Sequence, residues 1–126
     1  MTGTLFIIAT PIGNLQDISA RALQTLREVD VIFCEDTRVT AKLLAAFAIK
    51  KKLVSLHQHN LDARWREIKE RCSAGEKIAF VTDAGTPGIS DPGGQLVERV
   101  LKECGEDIAI IPIPGPCALV AALSIS

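Results

Sequence analysis

With 126 residues and 48% hydrophobic content, the chain has room for one domain with a substantial core and not for two. A formal net charge of -1 at pH 7 supplies no bulk attraction for nucleic acid or for an acidic membrane surface. No apolar run approaches the roughly 20 residues that span a bilayer, so no membrane partner is expected.

In chain order, Met1-Thr2-Gly3 carries no basic leader ahead of the apolar run 5–9, which does not fit a secretory signal; a cytoplasmic location is expected. Ser19 then offers an N-cap to a helix with the stripe Leu23, Leu26 and Val29. A second apolar run, 31–34, precedes a helix entered at Thr37 with Leu43, Leu44 and Phe47 on one side. The third run, 53–56, leads to a helix after Asn60 with Leu61, Trp65, Ile68 and Cys72. The fourth, 78–82, is followed by Asp91-Pro92, an N-cap with Pro at the first helical position. The helix it opens carries Val97, Val100, Leu101 and Cys104, and Gly105 stops it. The fifth run is 108–113. Lys50-Lys51-Lys52 reads as a solvated turn before a strand.

The apolar runs are short and evenly apolar, which predicts strands buried on both faces of a parallel sheet. Alternation of strand and helix predicts right-handed crossovers. The expected fold is therefore α/β, three-layered, with a five-stranded, mostly parallel sheet and helices on both faces. Residues 118–126 read as a helix without a stop signal, which leads us to expect that 1–126 is one subdomain of a longer protein.

Parallel strands place their carboxyl ends on one rim, and open α/β sheets bind ligands there. The segments entering the strands are plain. Those leaving them are not: Thr10-Pro11-Ile12-Gly13-Asn14, Glu35-Asp36-Thr37-Arg38, His57-Gln58-His59-Asn60, residues 83–94 and Pro114-Gly115-Pro116-Cys117-Ala118. Most of the Gly and Pro, 11 of 15, fall on this rim, which marks it as the site.

The segment 83–94 is Gly- and Pro-rich, so its backbone can approach a ligand closely along a rigid path; a plain connector is the alternative. It matches neither the phosphate loop of nucleoside-triphosphate enzymes nor the dinucleotide fingerprint. Thr10 to Asn14 also reads as an ordinary turn. Asp36 or Thr37 is expected to cap the next helix, with Glu35 paired to Arg38. His57 and His59 suggest metal or acid–base work, although two histidines in a polar loop are also explained by solvation. Pro114-Gly115-Pro116 either caps the last helix or aims its free N–H groups into the cleft. Cys34, Cys72, Cys104 and Cys117 are far apart with no C-x-x-C pair. No metal is expected, and the thiols read as buried and free, with Cys117 on the rim the exception.

These segments, in this order and together with Ala9 and Leu15 flanking the first, resemble the bacterial small-subunit ribosomal RNA ribose 2′-O-methyltransferases that modify a cytidine of the decoding region. That family lies within the tetrapyrrole (corrin/porphyrin) methylase superfamily. The resemblance covers essentially the whole chain. It implies S-adenosylmethionine as methyl donor, 16S rRNA in the 30S subunit as substrate, and a homodimer at full length. It further implies a second domain, absent from this chain, that forms the other cleft wall and adds RNA contacts. Mapped by motif, the donor-contacting positions are Pro11, Ala84, Gly85, Thr86, Cys117 and Ala118. The family usually has Ser at position 117. Cys there keeps a backbone contact but weakens a hydroxyl one.

Transfer of a methyl group from a sulfonium is an in-line displacement that needs no metal and draws on proximity and orientation. A ribose hydroxyl is a poor nucleophile and calls for a base; Asp83 is the first candidate and Asp36 the second. Asn14, Glu35, Arg38 and His59 are the rim residues expected to face substrate. A small-molecule C-methyltransferase of the same superfamily and a non-enzymatic RNA- or partner-binding module are the alternatives. The 126-residue piece alone is expected to bind donor weakly and not to turn over.

Overall fold

Each apolar run pairs side by side with others. The computed structural model describes residues 3–9, 18–57, 59–82 and 92–113. In it β1 (Gly3–Ala9), β2 (Val31–Cys34), β3 (Leu53–Ser55), β4 (Lys77–Thr82) and β5 (Ile108–Ile113) form one sheet in the order β3-β2-β4-β1-β5. All its ladders are parallel. The connecting helices are α1 (Ala20–Glu28), α2 (Thr37–Ala46), α3 (Leu61–Ser73) and α4 (Pro92–Glu103).

The strand order dictates where the helices lie. The crossovers β1 to β2 and β2 to β3 run one way along the sheet; β3 to β4 and β4 to β5 run the other way. Right-handed connections then put α1 and α2 on one face and α3 and α4 on the opposite face. The two cores agree. Ile32, Cys34, Ala79 and Val81 pack with Ala22 and Leu26 of α1 and Leu43 and Leu44 of α2. Val31, Phe33, Ile78 and Phe80 pack with Trp65 and Ile68 of α3 and Leu96 and Val100 of α4. Alternate residues of β2 and β4 thus serve opposite cores, which is why 31–34 and 78–81 contain no polar residue. Phe33 and Phe80 are fully sealed from solvent, and each such side chain contributes about 1.5–3 kcal/mol of burial.

Two expectations require correction. Leu101 does not join the inner stripe of α4: it is 59% exposed, and the buried residues one turn apart are Leu96 and Val100. At 100° per residue, that pair sets the inward face and turns Leu101 away from it. Burial on both faces holds for β2 but not for β5, whose Ala109 and Pro112 are exposed. As the edge strand, β5 also tolerates a proline that lacks a ladder donor.

Two local features set the helix positions. A Cβ on Gly3 would lie 2.5 Å from the Cys72 carbonyl oxygen and 2.8 Å from the Cys72 Cα, so β1 and the end of α3 touch backbone to backbone. Across the same face, the Arg99 guanidinium lies over the Trp65 ring at 5.0 Å and pairs with Asp62 and Glu103. The Trp65 indole N–H donates to Glu103 at 3.3 Å, clamping α3 to α4.

Candidate active site at the carboxyl rim

The sheet register brings the ends of three strands together. Ala9 stands opposite Thr82, and Ile8 opposite Ile113. These strands lead directly into the three Gly- and Pro-rich segments of the sequence. Neighbouring strands lie roughly 4.8 Å apart, so the three chain exits fall within about 10 Å. The crossovers from β4 and β1 leave towards opposite faces, which makes this pair of adjacent strands a switch point of the kind that opens a ligand crevice. Pro11, Asn14, Asp83, Ala84, Gly85, Thr86, Cys117 and Ala118 lie outside the described residues, as does the helix expected over 118–126.

The rest of the rim is formed by the ends of β2 and β3. Asp36 caps α2: its Oδ1 accepts the Arg38 backbone N–H at 2.9 Å and lies 3.5 Å from the Arg38 guanidinium. That backbone hydrogen bond, aided by the Arg38 charge, holds the Asp36 carboxyl below the usual carboxylate range. Of the two expected caps, Asp36 is the one used, and the Arg38 guanidinium pairs with Asp36. Arg38 is 88% exposed, so this pair orients the loop and adds little stability. Glu35 is half-buried and engaged in an interaction of its own.

Beyond β3, Leu56 still donates its N–H to the Cys34 carbonyl at 2.8 Å, although the strand proper ends at Ser55. The next turn is organised by Asn60. Its Oδ1 accepts the His57 backbone N–H at 2.8 Å, and its Nδ2 donates to the Ser55 carbonyl at 3.0 Å. The Asn60 backbone N–H donates to the His57 carbonyl at 3.0 Å. His57 is therefore held at both of its main-chain polar groups by one residue. Asn60 also occupies the N-cap position of α3 but makes no side-chain cap bond there. The helix forgoes a contact worth about 1 kcal/mol so that His57 can be fixed.

His57 and His59 stand edge to face, ring centroids 6.0 Å apart, with His59 exposed and His57 half-buried. The Nδ1 of His57 is sealed from solvent and has no hydrogen-bond partner. The structure thus brings Glu35, Asp36 and Arg38 to one side of the β2–β3 rim and His57 and His59 to the other. The sequence singled out His57 only as one of a pair suited to metal or acid–base work, and read Asn60 only as the entry to a helix; the tie between the two was not foreseen. The signal was there: an Asn three residues after a loop residue is positioned for a side-chain-closed turn.

Elsewhere, a cavity of about 300 Å³ is lined by Lys69, Cys72, Ser73, Glu103, Cys104, Asp107 and Ile108. It sits where α3 and α4 end and β5 begins, on the opposite rim. Cys34 and Cys72 are buried, and Cys104 is half-buried; Cys117 is outside the described residues. Among the described residues no three His, Cys, Asp or Glu side chains gather as a metal requires, and no helix is long and apolar enough to cross a membrane.

Comparison with known proteins bears on this rim. The chain is 53% identical over 122 residues to the ribosomal RNA small subunit methyltransferase I of Synechocystis sp.. To the proteins of the same name from Xylella fastidiosa and Thermotoga maritima it is 54% and 51% identical, each over 124 residues. These matches take in 96–98% of the chain but only 42%, 44% and 54% of the relatives, so the chain spans about half their length. Among solved structures, uroporphyrin III C-methyltransferase from Thermus thermophilus superposes with a TM-score of 0.67 at 17% identity, covering 95% of this chain and 52% of that one. Diphthine synthase superposes with a TM-score of 0.63 at 17% identity, covering 96% and 48%. At that identity the structures speak for the fold, which is the α/β parallel-sheet fold read from the sequence. The profile of the Tetrapyrrole (Corrin/Porphyrin) Methylases matches residues 4–126, and the chain belongs to that family.

Proposed function

We propose that the full-length protein transfers a methyl group from S-adenosylmethionine to the ribose 2′-hydroxyl of a cytidine in 16S rRNA of the small ribosomal subunit. The observation that carries this reading is the 49–54% identity to relatives named ribosomal RNA small subunit methyltransferase I, from one end of the chain to the other. Similarity to the tetrapyrrole enzyme stands at 17% and reaches no further than the fold.

In this reading the donor lies at the switch point between β1 and β4, held by Pro11, Ala84, Gly85, Thr86, Cys117 and Ala118. The convergence of Ala9, Thr82 and Ile113 supports it, because it starts all three segments from neighbouring strand ends. The donor supplies an activated methyl group on a sulfonium, and no metal is required. The protein positions the two reactants and takes up the proton from the ribose hydroxyl. Asp36 is poorly suited to that role, because its carboxylate is already bonded to the Arg38 N–H and is correspondingly less basic. We therefore assign the proton to Asp83. Asn14, Glu35, Arg38 and His59 line the substrate side. A further segment of the longer protein supplies the second cleft wall and the basic surface that a chain of net charge -1 lacks. The protein acts as a homodimer in the cytoplasm.

The test is methyl transfer from labelled S-adenosylmethionine to 30S particles or their RNA by the full-length protein, with the 126-residue piece alongside. Transfer to a cytidine ribose by the full-length protein alone is expected. Transfer to a tetrapyrrole and none to RNA overturns the substrate. Absence of any donor affinity in calorimetric titration leaves a binding module instead of an enzyme.

A further inference from the structure

The His57 ring carries an asymmetry that has a chemical consequence. Of its two ring nitrogens, only Nδ1 is both sealed from solvent and without a partner. A neutral imidazole has one N–H donor and one acceptor lone pair. A buried N–H without an acceptor is the rarer and more costly of the two orphans, so the proton resides on Nε2 and the lone pair on Nδ1. His57 is half-buried, with Nδ1 on the sealed side; a ring protonated on Nε2 is a donor to a ligand there, not a proton acceptor.

The surrounding residues hold this group in place. Asn60 binds the His57 backbone on both sides and leaves the N-cap of α3 without its side-chain bond. Asn60 gives up the usual cap to fix the main chain of His57, and function is a common reason for setting a local rule aside. β3 lies two strands from β4, roughly 10 Å from the crevice assigned to the donor, about the reach of one nucleotide. The geometry points to His57 as a substrate-binding residue whose Nε2–H donates to an acceptor oxygen of the RNA, a phosphate or base carbonyl beside the target ribose. This rests on the function proposed above. It excludes His57 from deprotonating the ribose and leaves that step to a carboxylate.

Two measurements on the full-length protein test it. In ring-nitrogen NMR of histidine-labelled protein at neutral pH, His57 is expected to show a protonated Nε2 and an unprotonated Nδ1; a proton on Nδ1 overturns the assignment. In methyl transfer to 30S particles, His57→Leu is expected to raise KM about tenfold or more, the effect of one lost hydrogen bond. Donor affinity is expected to stay unchanged, and the unfolding midpoint to stay unchanged or rise, because the orphan nitrogen is gone. His57→Gln, which keeps an N–H near the Nε2 position, is expected to restore KM most of the way. Normal wild-type methylation with an unaltered KM in His57→Leu, or no rescue by His57→Gln, overturns the contact alone. Failure of the wild type to methylate RNA overturns the function and the contact together, while the tautomer is still read from the NMR.

Discussion

Replacing Asn60 by alanine separates two uses of one side chain. As a helix cap, Asn60 would stabilise α3; as a loop tie, it holds His57 and Ser55. The structure assigns it wholly to the second use, with bonds of 2.8 Å to the His57 N–H and 3.0 Å to the Ser55 carbonyl and no cap bond. Each such bond has a net worth of about 0.5–1.5 kcal/mol, so Asn60→Ala is expected to cost about 1–3 kcal/mol. In a protein of the relatives' size, where 1 kcal/mol moves the midpoint by about 2–4 °C, the melting temperature falls by several degrees. Asn60→Asp keeps an acceptor for the His57 N–H and loses the bond to Ser55, and its charge is favourable at a helix N-terminus. It is expected to lose less than half as much. Urea unfolding of the full-length variants reads both values, and far-UV circular dichroism reads α3. An Asn60→Ala loss below about 0.5 kcal/mol, within the range of an uninvolved surface substitution, would refute the loop tie. So would loss of helix signal in the folded protein.

Three further outcomes follow from the packing. Gly3→Ala puts a Cβ within 2.5 Å of the Cys72 carbonyl oxygen, so urea unfolding should register a loss of about 1–3 kcal/mol from overpacking; an unchanged midpoint would mean that β1 and α3 separate freely. Burial raises the Cys72 thiol to about 11, with Cys104 adding to the shift. A thiol raised on folding contributes stability that is complete below its unfolded pKa and is lost as pH rises through the folded one. Stability should therefore fall between about pH 9 and pH 11. Cys72→Ala should flatten that part of the curve, and a wild-type slope retained in the variant would contradict the assignment. Leu101→Lys, on the solvent side of α4, should change stability by no more than about 0.5 kcal/mol; a loss of core size would show that Leu101 faces inward.

Much of the fold was legible because burial on both faces leaves a plain mark. Val31-Ile32-Phe33-Cys34 contains no polar residue, since each of its side chains enters one of two cores. The N-cap at Ser19 and the helix start at Pro92 were equally readable, because capping depends on residues close in sequence. The inward face of α4 was misread at Leu101, because two apolar stripes compete on one helix and only the sheet beneath selects between them. At the site, the clustering of Gly and Pro at strand exits located the rim, but composition is silent on which exits are neighbours.

The sequence by itself determined the α/β alternation, the candidate rim and, through its motifs, the family. Hydrophobic period, caps and turn residues are local quantities, and they suffice for that much. The strand order β3-β2-β4-β1-β5 was decided by tertiary structure alone, through contacts between residues as distant as Leu5 and Ile78. That order sets β1 beside β4 and makes the pair a switch point of the sheet. The tertiary structure also decided that Asn60 holds His57 and does not cap its helix, and that one ring nitrogen of His57 is sealed while the residue as a whole is half-buried. Orientation of a side chain against packed neighbours is a non-local property, and no spacing along the chain encodes it.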